Sequence, residues 1–196
     1  MKISAVITLY NKAPYIERCL RSVMAQTHLP CEIIVVNDVS SDGGDIIAEK
    51  TLKKSPVPWV LHNRENRGGA NGPAENTGVR ISRGKFIAFL DGDDEWAPGH
   101  LENIVRLIDR YPNADAYSSS RQLRKGSTCL PCPYALKSKR NDTHVFDFFV
   151  LFTKTIPLAA SASSLTIFDK RVIKESFSKR VSASIFATYV IEDCKY

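Results

Sequence analysis

The stretch Phe86–Trp96, FIAFLDGDDEW, decides how this chain folds. Its first part, Phe86–Leu90, is a run of five apolar residues, which is typical of a short strand buried on both faces. Clustered carboxylates directly after a buried strand are costly unless a cation or solvent meets their charge. Because open α/β sheets bind ligands at the carboxyl ends of their strands, we consider a ligand site here beside the simpler alternative, an acidic loop that starts a helix. The carboxylates are Asp91, Asp93, Asp94 and Glu95.

The composition is typical of one globular domain. Of the 196 residues, 43% are hydrophobic, which is enough for a core and argues against intrinsic disorder. No apolar run approaches the length of a membrane span. The apolar start of the chain is interrupted at Asn11, Lys12 and Pro14, and no small-residue cleavage site follows it. We therefore predict a first strand there and not a signal peptide.

The positive charge lies in the second half of the chain. Residues 1–98 hold 12 of the 27 Lys and Arg and 12 of the 21 Asp and Glu, so residues 99–196 hold 15 and 9 and supply the whole net charge of +6. A basic half can face phosphates, an acidic acceptor or an anionic membrane surface, or it can be a solvated face. We do not expect nucleic-acid binding, because the basic residues show no aromatic interleaving and match no known module.

The five cysteines do not indicate a disulfide framework or a metal site. Their number is odd and their spacing irregular, unlike the paired cysteines of secreted domains. Cys129 and Cys132 form a single CxxC, and a zinc site needs a further close pair of ligands. We therefore expect no redox or zinc function from them.

The order of the predicted elements is that of an α/β protein. Over residues 1–111, four short strands are each followed by a helix, which is the pattern of a mostly parallel sheet wrapped by helices. We therefore predict a three-layer α/β/α sandwich with a mainly parallel sheet. The predicted strands are Lys2–Leu9, Ile33–Val36, Trp59–His62 and Phe86–Leu90, and the predicted helices run from an Asn11 cap to before Pro30 and over Asp45–Lys53, Pro73–Ser82 and Gly99–Tyr111.

Past residue 113 the pattern is weaker. Residues 120–143 are basic and rich in turn residues, which predicts a surface loop or flap. Val145–Phe152 is strongly apolar and is expected to pack on the core. Candidate strands lie over Ala114–Ser119 and Ala162–Phe168, and a candidate helix over Lys170–Phe177.

Polar and aromatic side chains follow the first, second and fourth predicted strands. Tyr10 follows the first, Asp38 the second and Asp93 the fourth. In a parallel sheet these strand ends all lie at one edge. An aromatic ring can stack on a flat base, a carboxylate can accept an N–H from its edge, and a cation held by Asp93 can neutralise a diphosphate. The strand order therefore predicts a nucleoside-diphosphate site at this edge.

Several stretches together resemble the family 2 glycosyltransferases, which have the GT-A nucleotide-sugar-binding fold. The resemblance covers about the first hundred residues, and each stretch would be a weak signal alone. It implies an inverting transferase that moves a sugar from a nucleotide-diphosphate donor to a saccharide or lipid-linked acceptor with the help of Mg²⁺ or Mn²⁺. The matching stretches are ISAVITLYN from Ile3, EIIVVNDVSSDGG from Glu32, the run from Glu65 to Trp96 and the late IED at Ile191.

The resemblance also implies roles for single residues. Asp93 would bind the metal, and Asp193 would be the catalytic base. A UDP-sugar is the favoured donor, because Tyr10 with Asp38 suits a uracil edge. The expected setting is polysaccharide or cell-envelope glycan synthesis in the cytoplasm, at the inner face of the membrane if the basic half contacts lipid. The residues implied to bind the nucleotide are Thr8, Tyr10, Asn11, Asp38, Asn66, Asp91 and Gly92.

The chain departs from the family pattern at several positions. Thr8 stands where proline is usual, Asn37 replaces the first of two aspartates, and Glu75 stands where arginine is usual. The late acidic pair, Glu192 with Asp193, comes three residues before the end of the sequence. We therefore expect residues 1–196 to be a single domain with a nucleotide-binding half over 1–98 and an acceptor-side half over 99–196 that is truncated. Asp193 is then expected to be loosely held and turnover to be poor.

Two alternatives to a transferase remain at this stage. A non-catalytic nucleotide-sugar binder would have a frayed tail, whereas an ordered Asp193 facing the metal would support catalysis. A nucleotidyltransferase would usually carry a glycine-rich phosphate loop with basic residues after the first strand. The sequence TLYNKAPY from Thr8 does not provide one.

Overall fold

A computed structural model describes residues 1–68, 71–114, 116–119, 122–125, 128–131, 143–147, 166–170 and 188–192. These residues form an eight-stranded sheet, a separate two-stranded sheet and four helices. In chain order the elements are β1 (Ile3–Leu9), α1 (Ala13–Met24), β2 (Glu32–Asn37), α2 (Gly44–Leu52), β3 (Trp59–Asn63), α3 (Asn71–Ile81), β4 (Phe86–Asp91), α4 (His100–Arg110), β5 (Ala116–Ser119), β6 (Gln122–Lys125), β7 (Thr128–Pro131), β8 (Thr143–Asp147), β9 (Thr166–Asp169) and β10 (Thr188–Glu192).

The large sheet is mainly parallel, as predicted. Its strands lie in the order β3-β2-β1-β4-β9-β5-β10-β8, and β3, β2, β1 and β4 are parallel to one another. The next strand, β9, is antiparallel to both β4 and β5, so that β5 again runs in the direction of β1. β10 is parallel to β5, and β8 is antiparallel to β10. The carboxyl ends of β1, β2, β4, β5 and β10 therefore lie along one edge.

Helices cover the sheet on both faces, which confirms the predicted three layers. All of β1 and β2 and the apolar run Phe86–Leu90 are buried, because residues of both parities in these strands face a helix. On one face Ile7, Val35 and Leu90 pack with α1, α2 and α4. On the other face Val6, Ile34, Val36, Ile87 and Phe89 pack with Ala74 and Val79 of α3.

The predicted helix cap at Asn11 is wrong. The N-cap residue of α1 is Lys12, which makes no side-chain capping bond. The carboxylate of Asp42, in the loop after β2, instead accepts a hydrogen bond of 2.8 Å from the backbone N–H of Ala13. Asn11 cannot cap the helix because its backbone lies in the left-handed region, with a φ of 49°, and its side-chain oxygen accepts from the N–H of Ser41. A tertiary contact between two loops thus replaces the expected local one.

The second half contains more strand than the sequence indicated. The predicted loop or flap over residues 120–143 is wrong in part, because β6 and β7 pair there as an antiparallel two-stranded sheet. The candidate strands over Ala114–Ser119 and Ala162–Phe168 correspond to β5 and β9, and β8 brings part of the apolar segment Val145–Phe152 into the large sheet. Lys170 begins as helix, and the rest of the candidate helix Lys170–Phe177 lies outside the described residues.

One turn at the edge of the sheet is held in a strained conformation. Val39, two residues after the end of β2, has a φ of 64° and is exposed. The left-handed region is unfavourable for a β-branched residue, because its Cβ approaches the neighbouring carbonyl oxygen. The loop keeps this conformation because Asp38 and Ser40 on either side are tied to other elements by hydrogen bonds.

Helix α3 approaches the sheet most closely at Gly78. A Cβ built on Gly78 would clash with Cγ1 of Val6, in the middle of β1. Val6 is fully buried and has a stiff β-branched side chain, so it cannot move away cheaply. The glycine therefore sets the distance between α3 and the sheet.

We predict that Val39→Gly raises the free energy of unfolding by roughly 0.5–1 kcal/mol. Relief of left-handed strain is worth about 1–2 kcal/mol, and the extra chain entropy of glycine takes back about 0.5–1 kcal/mol. Urea unfolding with an unchanged slope measures the difference. Val39→Ala is the matched control, since it keeps the Cβ and should gain less. A Val39→Gly protein less stable than the parent would contradict the assigned strain.

We predict that Gly78→Ala lowers the free energy of unfolding by about 1 kcal/mol or more. Alanine gains about 1 kcal/mol in helix propensity, but overpacking against Val6 costs roughly 1–3 kcal/mol, and the stiff neighbour places the cost at the upper end. In the Val6→Ala background the same substitution should cost much less, so a double-mutant cycle should give a coupling of about 1 kcal/mol. Additive effects in that cycle would show that the Gly78–Val6 contact does not set the packing distance.

Candidate active site

The ends of β1 and β4 are joined by two hydrogen bonds between residues of the predicted site. The hydroxyl of Thr8 donates to Oδ1 of Asp91 at 3.0 Å, and the N–H of Gly92 donates to the backbone oxygen of Thr8 at 3.0 Å. A Cβ on Gly92 would lie 2.8 Å from that same oxygen, so only glycine allows this close approach. A proline at position 8 would offer no hydroxyl. Threonine therefore holds the Asp91 carboxylate in place.

Basic side chains from α1 and the loop before it meet the acidic cluster after β4. Lys12 forms an ion pair with Oδ2 of Asp93, and both side chains are more than a third exposed. Arg18 pairs with Glu95 at 2.9 Å between Nε and Oε1, and its Nη2 donates to the backbone oxygen of Asp93 at 3.0 Å. The negative charge that follows the buried strand β4 is thus compensated by basic side chains of α1 and of its N-cap residue.

Asp38 is buried and bound on two sides. Its carboxylate forms an ion pair with Arg64, which directly follows β3, and it accepts the backbone N–H of Gly68 at 3.2 Å to each oxygen. The sequence analysis proposed a base contact for Asp38 and did not identify Arg64. A carboxylate has about four acceptor positions, so these contacts leave capacity for one more donor. Asp38 follows β2 and Arg64 follows the adjacent strand β3, and these opposite charges at neighbouring strand ends could have predicted the ion pair.

The replacement of an aspartate by Asn37 has a structural reason. The Nδ2 of Asn37 donates to Oδ1 of Asn63 at 2.9 Å, and its Oδ1 accepts from the N–H of Ser40 at 3.0 Å. An amide can donate and accept at once, whereas an ionised carboxylate can only accept. Asn37 therefore ties the ends of β2 and β3 together beside Asp38.

Tyr10 lies at the same edge with a guanidinium over one face of its ring. The Cζ atom of Arg67 is 3.9 Å from the ring centroid, within cation–π distance. Asn66, the neighbouring candidate, is exposed in the loop between β3 and α3. Asn11, the other loop candidate, is exposed and bonds to Ser40 and Ser41. The structure brings Tyr10 close to the loop after β3, a contact that the sequence did not indicate.

A buried histidine beneath this edge was missed by the sequence analysis. Nδ1 of His100 lies 3.1 Å from Oγ of Ser119 at the end of β5, and its ring packs on Trp96 at 5.1 Å between centroids. Burial lowers the pKa of His100 to about 4, so the imidazole is neutral near pH 7. Among the residues that the structure describes, its Nε2 has no hydrogen-bond partner. His100 lies four residues before Ile104 on the apolar face of α4, and that spacing was the available signal.

Cys19 is a structural thiol. It is fully buried under β4, and its Sγ donates to the backbone oxygen of Asp91 at 3.6 Å. Burial, and secondarily the carboxylates of Asp94 and Asp93, raises the pKa of the Cys19 thiol. It therefore stays protonated and unreactive.

The oxygen donors at this edge suit a hard divalent cation as part of a larger ligand set. In the part of the chain that the structure describes, no three His, Cys, Asp or Glu residues are grouped as a metal site. Magnesium is typically held by one or two carboxylates together with substrate phosphates, and Asp93 with its partly exposed carboxylate meets that requirement. A cation here would bind weakly to the carboxylate alone and more tightly together with the phosphates of a ligand.

The predicted base, Asp193, lies outside the described residues. The strand that precedes it, β10, pairs with β5 in parallel, and Glu192 is in register with Ser119. The described part of the tail is therefore a strand of the sheet, and it ends at the same edge as β1, β2 and β4. The prediction that Asp193 is loosely held stays a prediction.

None of the helices in the described ranges is both long and apolar enough to cross a membrane.

The chain matches a known family over most of its length. Residues 4–175 match the family model described as Glycosyl transferase family 2. The uncharacterized glycosyltransferase YwdF of Bacillus subtilis is 34% identical over 155 residues, which are 76% of this chain and 56% of that protein. The putative glycosyltransferase EpsH of the same organism is 40% identical over 104 residues, which are 53% of this chain and 29% of that protein. The chain thus spans between 29% and 56% of these two relatives.

Solved structures with the GT-A fold resemble the chain more completely. Staphylococcus aureus TarS, residues 1–349 in complex with UDP, has a TM-score of 0.74 at 19% identity and covers all of this chain, which corresponds to 61% of that structure. The mannosyltransferase PcManGT from Pyrobaculum calidifontis, in complex with GDP-Man and Mn²⁺, has a TM-score of 0.65 at 18% identity over 98% of this chain and 56% of that structure. Identities this low show the fold alone. The fold, the strand-end residues and the family match agree, and the chain belongs to glycosyl transferase family 2.

Proposed function

We propose that this chain binds a nucleoside-diphosphate sugar at the carboxyl edge of β1, β2 and β4 and transfers the sugar to a saccharide or lipid-linked acceptor. The observation that carries the proposal is the convergence of Tyr10, Asp38 and Asp93 from three strands on one edge. A base can stack on the ring of Tyr10 and donate an N–H to Asp38, and a cation held by Asp93 can neutralise a diphosphate. The setting we propose is polysaccharide or cell-envelope glycan synthesis.

UDP is the favoured nucleotide of the donor. A carboxylate can only accept, so Asp38 suits the N3–H of uracil, and the Tyr10 ring offers a face for stacking. Arg64 fixes the direction of the Asp38 carboxylate and leaves acceptor capacity. The structurally similar TarS is described in complex with UDP and with UDP-GlcNAc, which supports the choice of nucleotide. PcManGT is described with GDP-Man, so a guanine donor is the alternative that nucleotide competition would reveal.

Mg²⁺ or Mn²⁺ is the proposed cofactor, held by Asp93 together with the donor phosphates. The cation would supply neutralisation of the diphosphate as it leaves the sugar. Thr8 holds Asp91 beside this position, and Gly92 lets the backbone after β4 lie close to the end of β1. The Mn²⁺ described with PcManGT supports the class of metal.

Asp193 is the proposed base of an inverting transfer. The acceptor hydroxyl attacks the anomeric carbon opposite the leaving diphosphate and passes its proton to a carboxylate within hydrogen-bond reach. Asp38 and Asp93 are already assigned to the nucleobase and to the cation. Asp193 follows β10, which ends at the same edge next to β5. A non-catalytic binder is the outcome if Asp193 contributes nothing to transfer.

We predict that Asp93→Ala weakens Mn²⁺-dependent UDP binding at least tenfold and leaves the fold intact. Removing a carboxylate ligand leaves the cation to water and phosphate, which hold it poorly. Calorimetric titration with UDP, with and without Mn²⁺, measures the loss. Asp109→Ala, which removes an exposed carboxylate from α4 away from the edge, is the matched control and should bind as the parent does. Unchanged UDP affinity in Asp93→Ala would remove Asp93 from the site.

We predict that Asp193→Asn lowers sugar transfer at least a hundredfold while UDP affinity changes less than about threefold. An amide cannot take the acceptor proton, and general-base catalysis contributes about 10²–10⁴-fold. Single-turnover transfer from a radiolabelled UDP-sugar separates chemistry from product release. Transfer by Asp193→Asn at the parent's rate would leave the base unassigned. Donor binding without transfer by the parent itself would favour the non-catalytic binder.

A further inference from the structure

The positively charged side chain that pairs with Asp93 has no role in the function proposed above. It is Lys12, from the turn between β1 and α1, and its ammonium forms an ion pair with Oδ2 of Asp93. The backbone of Lys12 is held by α1, because its carbonyl accepts the N–H groups of Tyr15 and Ile16 at 2.9 Å each. The side chain of Lys12 thus reaches the acidic cluster from a fixed backbone position, and only its four-carbon side chain can move.

This ion pair lies where a metal would have to bind. The side chains of Lys12 and Asp93 are 36% and 37% exposed, so the pair is screened by water and weak. The pair Arg64–Asp38, at 18% and 9% exposed, is much better shielded. A lysine ammonium and a divalent cation cannot both occupy the same carboxylate oxygen. A cation that binds Oδ2 of Asp93 therefore displaces Lys12, and one that binds Oδ1 is repelled by the ammonium beside it.

The other acidic residues around the displaced ammonium already have partners, Asp94 among them. The nearby carboxylate of Asp91 accepts from Thr8, that of Glu95 pairs with Arg18, and that of Asp42 accepts the N–H of Ala13. The anion that arrives with the cation is the diphosphate of the donor. An ammonium on a flexible four-carbon stem is well suited to phosphate oxygens as a compact point charge.

We propose that Lys12 is a donor-binding residue that exchanges partners. It neutralises Asp93 when no donor is bound, and it contacts the diphosphate when a divalent cation takes the Asp93 carboxylate. The proposal rests on the proposed function, since it needs a nucleoside diphosphate at this edge. It adds a residue that links metal binding to donor binding through one mobile side chain.

The test is one substitution with opposite effects on two ligands. Without nucleotide, Lys12→Met should bind Mn²⁺ about threefold to fivefold more tightly than the parent, because the competing ammonium is gone; electron paramagnetic resonance of free Mn²⁺ measures this. With saturating Mn²⁺, the same variant should bind UDP about tenfold more weakly, because a charged contact to phosphate is lost. Its affinity for uridine, which carries no phosphate, should be unchanged by NMR titration.

Two variants control for charge and for folding. Arg18→Met also removes one positive charge beside Asp93, but Arg18 contacts Glu95 and the Asp93 backbone and not the Asp93 carboxylate, so Mn²⁺ affinity should change less than about twofold. Lys12→Arg keeps the charge and should bind UDP within about threefold of the parent. Far-UV circular dichroism and the Tm of each variant show that α1 is intact.

Three results would overturn the proposal. Partner exchange is contradicted if Lys12→Met leaves the Mn²⁺ and UDP affinities unchanged, if it weakens Mn²⁺ binding, or if it weakens uridine binding as much as UDP binding. If the parent binds UDP and only the Lys12 effects are missing, the proposed function stands and the role of Lys12 falls. If the parent binds no nucleoside diphosphate, both the proposed function and the phosphate contact of Lys12 are contradicted.

Discussion

Compensation of charge at the carboxyl edge of the sheet is the interaction on which the rest of this site depends. The strands β1, β2 and β4 are apolar on both faces, so the first place where they can carry polar groups is their ends. Carboxylates collected there repel one another unless cations meet them. The chain supplies those cations from neighbouring loops and from α1: Arg64 for Asp38, Lys12 for Asp93 and Arg18 for Glu95.

The ion pairs at this edge differ in burial, and the difference distinguishes a pair that stabilises the fold from a pair that can exchange for a ligand. Arg64 and Asp38 are shielded from water. Removing one partner of such a pair typically lowers the free energy of unfolding by about 3–5 kcal/mol. They hold the loop after β3 against the end of β2, together with the N–H of Gly68. Lys12 and Asp93 are exposed enough to part at little cost. A nucleotide site needs both kinds of pair: one to keep its walls in place and one to give way to a metal and phosphates.

Much of the fold could be predicted because its signals are local. Four apolar runs, each followed by a helical repeat, are enough to predict a mainly parallel sheet, and burial of Phe86–Leu90 follows from its lack of alternation. The second half was less predictable, since β9 enters the sheet antiparallel between β4 and β5 from far along the chain. The N-cap of α1 was also missed, because Asp42 reaches it from the loop after β2 and no local pattern records such a contact.

The sequence by itself determined the order of the strands along the chain, the residue types at their ends and the family to which the chain belongs. Only the tertiary structure decided which side chains meet: Arg64 with Asp38, Lys12 with Asp93, Arg67 with Tyr10, and His100 with Ser119. The physical reason is the range of the interactions. Hydrophobic periodicity is a pattern among residues that are close in sequence, so it can be recognised from the sequence. Ion pairs and ring contacts join segments that are far apart in sequence and that only the assembled sheet brings together.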